Sequence, residues 1–165
     1  MRIIGILLFL TVFLNAQQQV EIVARTFSSD ERAGRTVFTG DVVITRGLDV
    51  MKADQITVFS TPEREITRFE AIGNAFFDVT TDDNHSFRGE ADELVYLPVD
   101  GLYTLKGRAL VEDLTDKRKI SGDHIVLNEL TKKASVTGKE AEPVKIIFTI
   151  KERNESAENN RTKGP

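Results

Sequence analysis

The stretch Phe38-Thr39-Gly40-Asp41-Val42-Val43-Ile44 sets the pattern of the chain: an apolar residue, a spacer, a glycine, a variable residue, then a strand-like run. It returns as Ala71-Ile72-Gly73-Asn74-Ala75-Phe76-Phe77 and as Leu105-Lys106-Gly107-Arg108-Ala109-Leu110-Val111, and fades at Val136-Thr137-Gly138. The glycines are spaced 33, 34 and 31 residues apart. A period of this size marks units that bury their apolar faces only by stacking on their neighbours. A second phrase runs between the copies, a small residue, Asp, then alternating apolar positions. It reads Ala53-Asp54-Gln55-Ile56-Thr57-Val58, Ala91-Asp92-Glu93-Leu94-Val95-Tyr96 and Gly122-Asp123-His124-Ile125-Val126-Leu127.

Both phrases alternate with period two and are rich in β-branched residues, which predicts two to four short strands per repeat. Phe38, Val42 and Ile44 then share one face, as do Ile56 and Val58, Leu94 and Tyr96, and Ile125 and Leu127. Gln55 and Thr57 fall on the opposite, solvent-facing side. The recurrent glycines read as bulges or close-approach positions. Turn signals separate the strands at Arg46-Gly47, Thr61-Pro62, Asp82-Asp83-Asn84, Pro98-Val99-Asp100-Gly101 and Glu142-Pro143. Thr61-Pro62-Glu63-Arg64-Glu65-Ile66 could also open a helical turn; the repeat register favours a turn between strands. Asp54, Asp92 and Asp123 recur with the repeat, so they read as turn or strand-end residues rather than as a carboxylate cluster. The expected fold is all-β, elongated and layered.

The ends of the chain bound its setting. Met1-Arg2 and an apolar run from Ile3 to Leu14, closed by Asn15-Ala16, describe a secretory leader cleaved after Ala16. The alternative is an uncleaved anchor, for which the run falls short of the roughly 20 residues a spanning helix needs. There is no cysteine, so acylation at Cys, disulfides and thiolate metal sites are all excluded. Removing residues 1–16 leaves 21 basic against 26 acidic side chains, a net charge near −5. That argues against a nucleic-acid partner, which requires a basic face. Residues 151–165 contain no residue larger than Ala that wants burial and read as a disordered tail, leaving 17–150 as the folded domain.

Catalytic chemistry has little to build on. The two histidines, His85 and His124, belong to no ligand-spaced pair, and no metal or cofactor is expected. No nucleophile elbow, phosphate loop or metalloprotease helix is present. The expectation is a protein that is not an enzyme.

The ordered series Thr36 to Gly47, Met51-Lys52-Ala53-Asp54-Gln55-Ile56, Ala91 to Tyr96, Leu105 to Ala109 and Lys119 to Ile125 resembles the OstA-like (LptA) family across about residues 20–150. The resemblance implies a folded-over antiparallel β-jellyroll whose apolar interior takes up the acyl chains of the lipid A part of lipopolysaccharide. It also implies a periplasmic bridge from an inner-membrane transporter, with its anchored partner, to an outer-membrane translocon. Members of the family stack end to end and have no catalytic residues. The lipid-binding interior is then expected at Ile22, Phe38, Val42, Ile44, Ile56, Val58, Phe77, Leu94, Tyr96, Val111, Ile125 and Leu127. Each buried methylene is worth about 0.8 kcal/mol, so acyl chains crossing water need such shielding.

The alternating segments Val20 to Ala24 and Val144 to Ile150 lie at opposite limits of the domain. Val20, Ile22, Ile146 and Phe148 therefore read as edges open to head-to-tail self-assembly or to partners of like fold. Two rival readings share the pattern: a structural β-repeat protein with a dry, packed core, and a docking module that uses only its edges. Finally, Asn84, Asn154 and Asn160 each begin an Asn-x-Ser/Thr triplet, with Asp82, Glu152 and Glu158 two residues before them. These are candidate N-glycosylation sites; a solvated acidic turn and tail is the plainer alternative.

Overall fold

The computed structural model describes residues 19–150. The expected leader, residues 1–16, and the expected tail, residues 151–165 with Asn154 and Asn160, lie outside the described residues. The described chain is one antiparallel sheet. Its central meander comprises β3 (Arg35–Arg46), β4 (Asp49–Ser60), β5 (Ile66–Thr80), β6 (Ser86–Leu97), β7 (Leu102–Asp113) and β8 (Arg118–Asn128), each paired with the next. Two short strands, β1 (Val20–Val23) and β2 (Thr26–Asp30), pair with β3 at one edge. At the other edge β9 (Lys133–Thr137) and β10 (Lys145–Ile147) pair with β8. Thr61 to Glu65 is a hairpin turn closed by Thr61 N–H to the Glu65 carbonyl at 2.9 Å, with no helical turn.

The strands of the meander run 11 to 15 residues, longer than the short segments anticipated. Two expected strands are the two arms of one long strand, joined through a bulge. The register slips between Thr39 and Val42, between Ile72 and Ala75, and between Lys106 and Ala109. Each slip falls on the repeated glycine and its follower, both at positive φ: Gly40 and Asp41, Gly73 and Asn74, Gly107 and Arg108. Two left-handed residues in succession add one residue to the strand and bend it sharply. Because the bulges lie side by side on β3, β5 and β7, the whole sheet creases along one line.

The crease folds the sheet on itself. Phe77 on β5 is in register with Gly89 on β6, which is in register with Val111 on β7, eight residues beyond Tyr103. In a flat sheet those eight residues would separate Tyr103 from that row by about 26 Å. Instead, the Phe77 and Tyr103 rings lie 5.5 Å apart. The first leaf holds β2, β9 and the arms on the Phe38, Ile56 and Leu94 side; the second holds β1, β10 and the arms on the Val42, Phe77 and Val111 side.

Packing at the crease explains the alanine of the second phrase on β4 and β6 and the alanine that follows the bulge on β5 and β7. Ala53, Ala75, Ala91 and Ala109 are buried on the second leaf, facing Ile56, Leu94, Leu105 and Ile125 of the first, all 0–1% exposed. Two converging layers meet at interior density only if one of them is small there. The repeated Asp residues are not at turns or strand ends, as expected, but in mid-strand on the outer side of the crease. Asp54 accepts from Asn74 Nδ2 at 3.0 Å, Asp92 from Arg108 Nε at 3.0 Å, and Asp123 pairs with Lys139 at 2.7 Å. Arg25 and Asp41 make the same link with the charges exchanged. In each case a residue on the neighbouring segment, the repeated Asp or Arg25, reaches the residue just after the repeated glycine.

Candidate ligand groove

Between the leaves, toward the β10 edge, lies an open cavity of about 630 Å³. Phe77 and Tyr103 form its inner wall, and it runs past Val79, Phe87, Val111, Ile120 and Leu127 to Ile146 and Phe148. Gly89 makes the wall possible, because a Cβ there would run into the Phe77 ring. Toward β3 the groove is shut by aromatic stacking. Tyr96 lies 4.2 Å from Tyr103 and 6.1 Å from Phe69, and its hydroxyl donates to Glu129 Oε1 at 3.2 Å. Burial pushes the phenol pKa of both tyrosines up, so the wall stays uncharged.

The rim is polar. Lys132, in the turn after β8, reaches across the mouth to Asp83, in the turn after β5, at 3.1 Å. The Thr81 hydroxyl and then Lys132 hold the Asp83 carboxyl down at about 2. At the foot of the rim Asp113, only 6% exposed, accepts from the amides of Thr115 and Asp116 and from Arg118 Nη2 at 2.6 Å. Burial pushes its carboxyl up, but the Asp116 amide and Arg118 outweigh that and leave it below the usual range. His85, Asp113 and Asp116 come within 4.8 Å of one another. Asp113 is already committed to Arg118 and its own turn, so the trio makes a poor cation site.

The twelve expected interior residues divide by distance from the crease. Phe77, Val111 and Leu127 line the cavity. Ile56, Leu94, Ile125 and Val42 are sealed in the crease at 0–1% exposure, and Ile44 and Phe38 pack beside them. Val58 also packs on that core, Tyr96 belongs to the aromatic closure, and Ile22 lies at the edge, 37% exposed. Thr57 corrects an expectation: it alternates outward but is 2% exposed, between Val37 and the Glu70 of an Arg68–Glu70 ion pair. A short side chain on a central strand is covered by its longer neighbours. Val79, Phe87, Tyr103 and Ile120 were missed: Val79 lies two residues from Phe77, but the other three are separated by the crease from the recognised positions on their strands, Phe87 by seven residues from Leu94, Tyr103 by eight from Val111 and Ile120 by five from Ile125. Of the edge residues, Val20 and Ile22 are on β1 and Ile146 on β10; Phe148 follows β10, and it shares the cavity wall with Ile146. The strand expected over Val144 to Ile150 is ordered into pairing only at Lys145–Ile147.

The family described as LptA/(LptD N-terminal domain) LPS transport protein matches residues 21–133. The chain belongs to this family. Among solved structures, the chain is similar to LptH of Pseudomonas aeruginosa, described as the LptA homologous periplasmic component of the conserved lipopolysaccharide transport device. The likeness is 15% in sequence with a TM-score of 0.68, over 81% of this chain and 96% of that one. At that identity it shows the fold, a β-jellyroll of LptA type. No curated protein matches the chain. For an LptA-like domain the groove between the leaves is the feature to explain, and among the described residues no helix is long and apolar enough to cross a membrane.

Proposed function

We propose that this lipopolysaccharide-transport-family protein is a periplasmic carrier that shelters lipid A acyl chains in the cavity between its leaves. It would work within a bridge between the inner-membrane export machinery, with its anchored partner, and the outer-membrane translocon. The observation that carries this reading is the cavity itself: apolar walls, a polar rim, and an opening at the exposed β10 edge. Its volume lies in the range of small-ligand sites, about 300–1,000 Å³, and so suits part of a many-chained lipid. Full loading therefore requires the leaves to part at the rim.

Strand polarity supports end-to-end assembly. Five antiparallel pairings separate β3 from β8, so β8 runs opposite to β3. With β1 and β10 each antiparallel to its neighbour, β10 of one molecule would meet β1 of the next antiparallel, without a flip. Both are apolar and exposed on the second leaf, whereas β2 and β9 on the first leaf are mostly polar. Native mass spectrometry of the purified chain with lipopolysaccharide tests the carrier reading. A stoichiometric lipid adduct is expected; its absence at saturating lipid would favour the dry-core reading, which the sealed crease supports.

A further inference from the structure

The β5–β6 turn carries a pair of groups that the fold does not use. Its sequence is Asp82-Asp83-Asn84-His85-Ser86. Asp83 performs the structural work, taking the Thr81 hydroxyl and Lys132. The backbone closes through Asn84 N–H to the Thr81 carbonyl at 2.8 Å and Thr81 N–H to the His85 carbonyl at 2.9 Å. Asn84 sits at the tip with φ +65° and exposed, and its carboxamide has no hydrogen-bond partner among the described residues. Asp82, also exposed, likewise makes none among them. Asparagine tolerates that left-handed conformation, but glycine would serve the turn as well, so the backbone does not explain the side chain.

We propose that Asn84 is an N-glycan acceptor, with Asp82 as a recognition charge for the transferase. The triplet supplies an amide nucleophile and, two residues on, a hydroxyl. An exposed carboxylate two residues before it offers a cationic peptide cleft a charge-assisted anchor. The same five-residue arrangement recurs at Glu152 to Ser156 and Glu158 to Thr162, which enter on sequence alone. Acids are 26 of 165 residues, so composition does not place one before every acceptor triplet. The donor is a polyprenyl-pyrophosphate-linked oligosaccharide. The Asn84 amide nitrogen bonds to the anomeric carbon, the carbon–oxygen bond to pyrophosphate breaks, and one amide proton passes to a base on the transferase. Ser86 Oγ is shared with Thr80 Oγ1 at 3.1 Å, its N–H donates to Thr115 Oγ1 at 3.0 Å and its carbonyl accepts from Leu114 N–H at 2.8 Å. The first residue of β6 must therefore come away from both β5 and the β7–β8 turn for the triplet to enter a cleft.

The test is to express the full chain with its leader in a bacterium that carries such a transferase and a reporter acceptor, and to map glycopeptides by mass spectrometry. The peptide bearing Asn84 should carry the glycan in the wild type and in Ser86→Thr. Asn84→Gly, which suits φ +65° and should leave the melting curve in place, should lose it. Asp82→Asn should reduce occupancy about tenfold or more, the effect of one lost charge-assisted hydrogen bond. An unmodified Asn84 peptide beside a modified reporter overturns the proposal, as does glycan confined to Asn154 and Asn160. Unchanged occupancy in Asp82→Asn overturns the role given to the acid.

Discussion

Gly107 carries two constraints at once. Its φ is +73°, and a Cβ there would strike the Asp92 carboxylate. Left-handed geometry costs an alanine about 1–2 kcal/mol, and the clash adds to that. Gly107→Ala should therefore lose about 2 kcal/mol or more in urea unfolding. Gly89→Ala acts differently, forcing the buried Phe77 ring aside; overpacking of this kind costs about 1–3 kcal/mol. It should weaken lipid capture more than its stability loss explains, which a binding titration at a temperature where the variant stays folded would reveal.

Asp113 links a residue to pH. Its folded pKa lies below the ordinary value, so its contribution is present above the unfolded carboxylate pKa, about 3.9, and fades as pH falls below it. Asp83 follows the same sign, losing its contribution between about 4 and about 2. Asp113→Ala leaves two turn amides without their acceptor and should cost about 2 kcal/mol at neutral pH. Its stability should also fall less steeply than the wild type's below about pH 4. Parallel acid titrations by circular dichroism check both.

The strands explain why the edges matter. A strand with unpaired backbone groups is a template for another strand, and natural edges are usually guarded by charge or proline. β10 is Lys-Ile-Ile, and Phe148 and Ile150 beyond it are 59% and 73% exposed. Light scattering should show concentration-dependent growth in the wild type, suppressed by Ile147→Pro on β10 and by Ile22→Lys on β1. A wild type that stays monomeric at high concentration would sink the edge model. β2 and β9, with their serines, threonines and Lys133, should contribute little to that growth.

Across the molecule, the crease is packed and the mouth is open. A photo-crosslinker at Phe87 or Leu127 should capture lipopolysaccharide, whereas one at Ile56, sealed in the crease, or at Lys106, on the outer face, should not. Thr57 is unsuitable as the outward control because it is buried. Equal labelling at Phe87 and Lys106 would remove the groove from the mechanism. Capture at Ile56 would mean that the leaves open down to the crease.

Much of this was legible in the residues themselves. Alternation named the inward face, the repeated glycine named the bulge, and Gly-Asp, Gly-Asn and Gly-Arg are local enough to be read as pairs. The small residue before each repeated Asp was visible too, but its meaning was not, because it depends on a second layer that local sequence does not contain. The same limit hid the length of the strands: a bulge and a turn both begin with glycine, and only pairing across the sheet distinguishes them. Ile56 and Leu127 have the same inward signature, yet one is sealed and the other lines the cavity. Period-two alternation tells which face a side chain takes; how far it lies from the fold line, and so whether a facing leaf covers it, is set by contacts between residues distant in the chain.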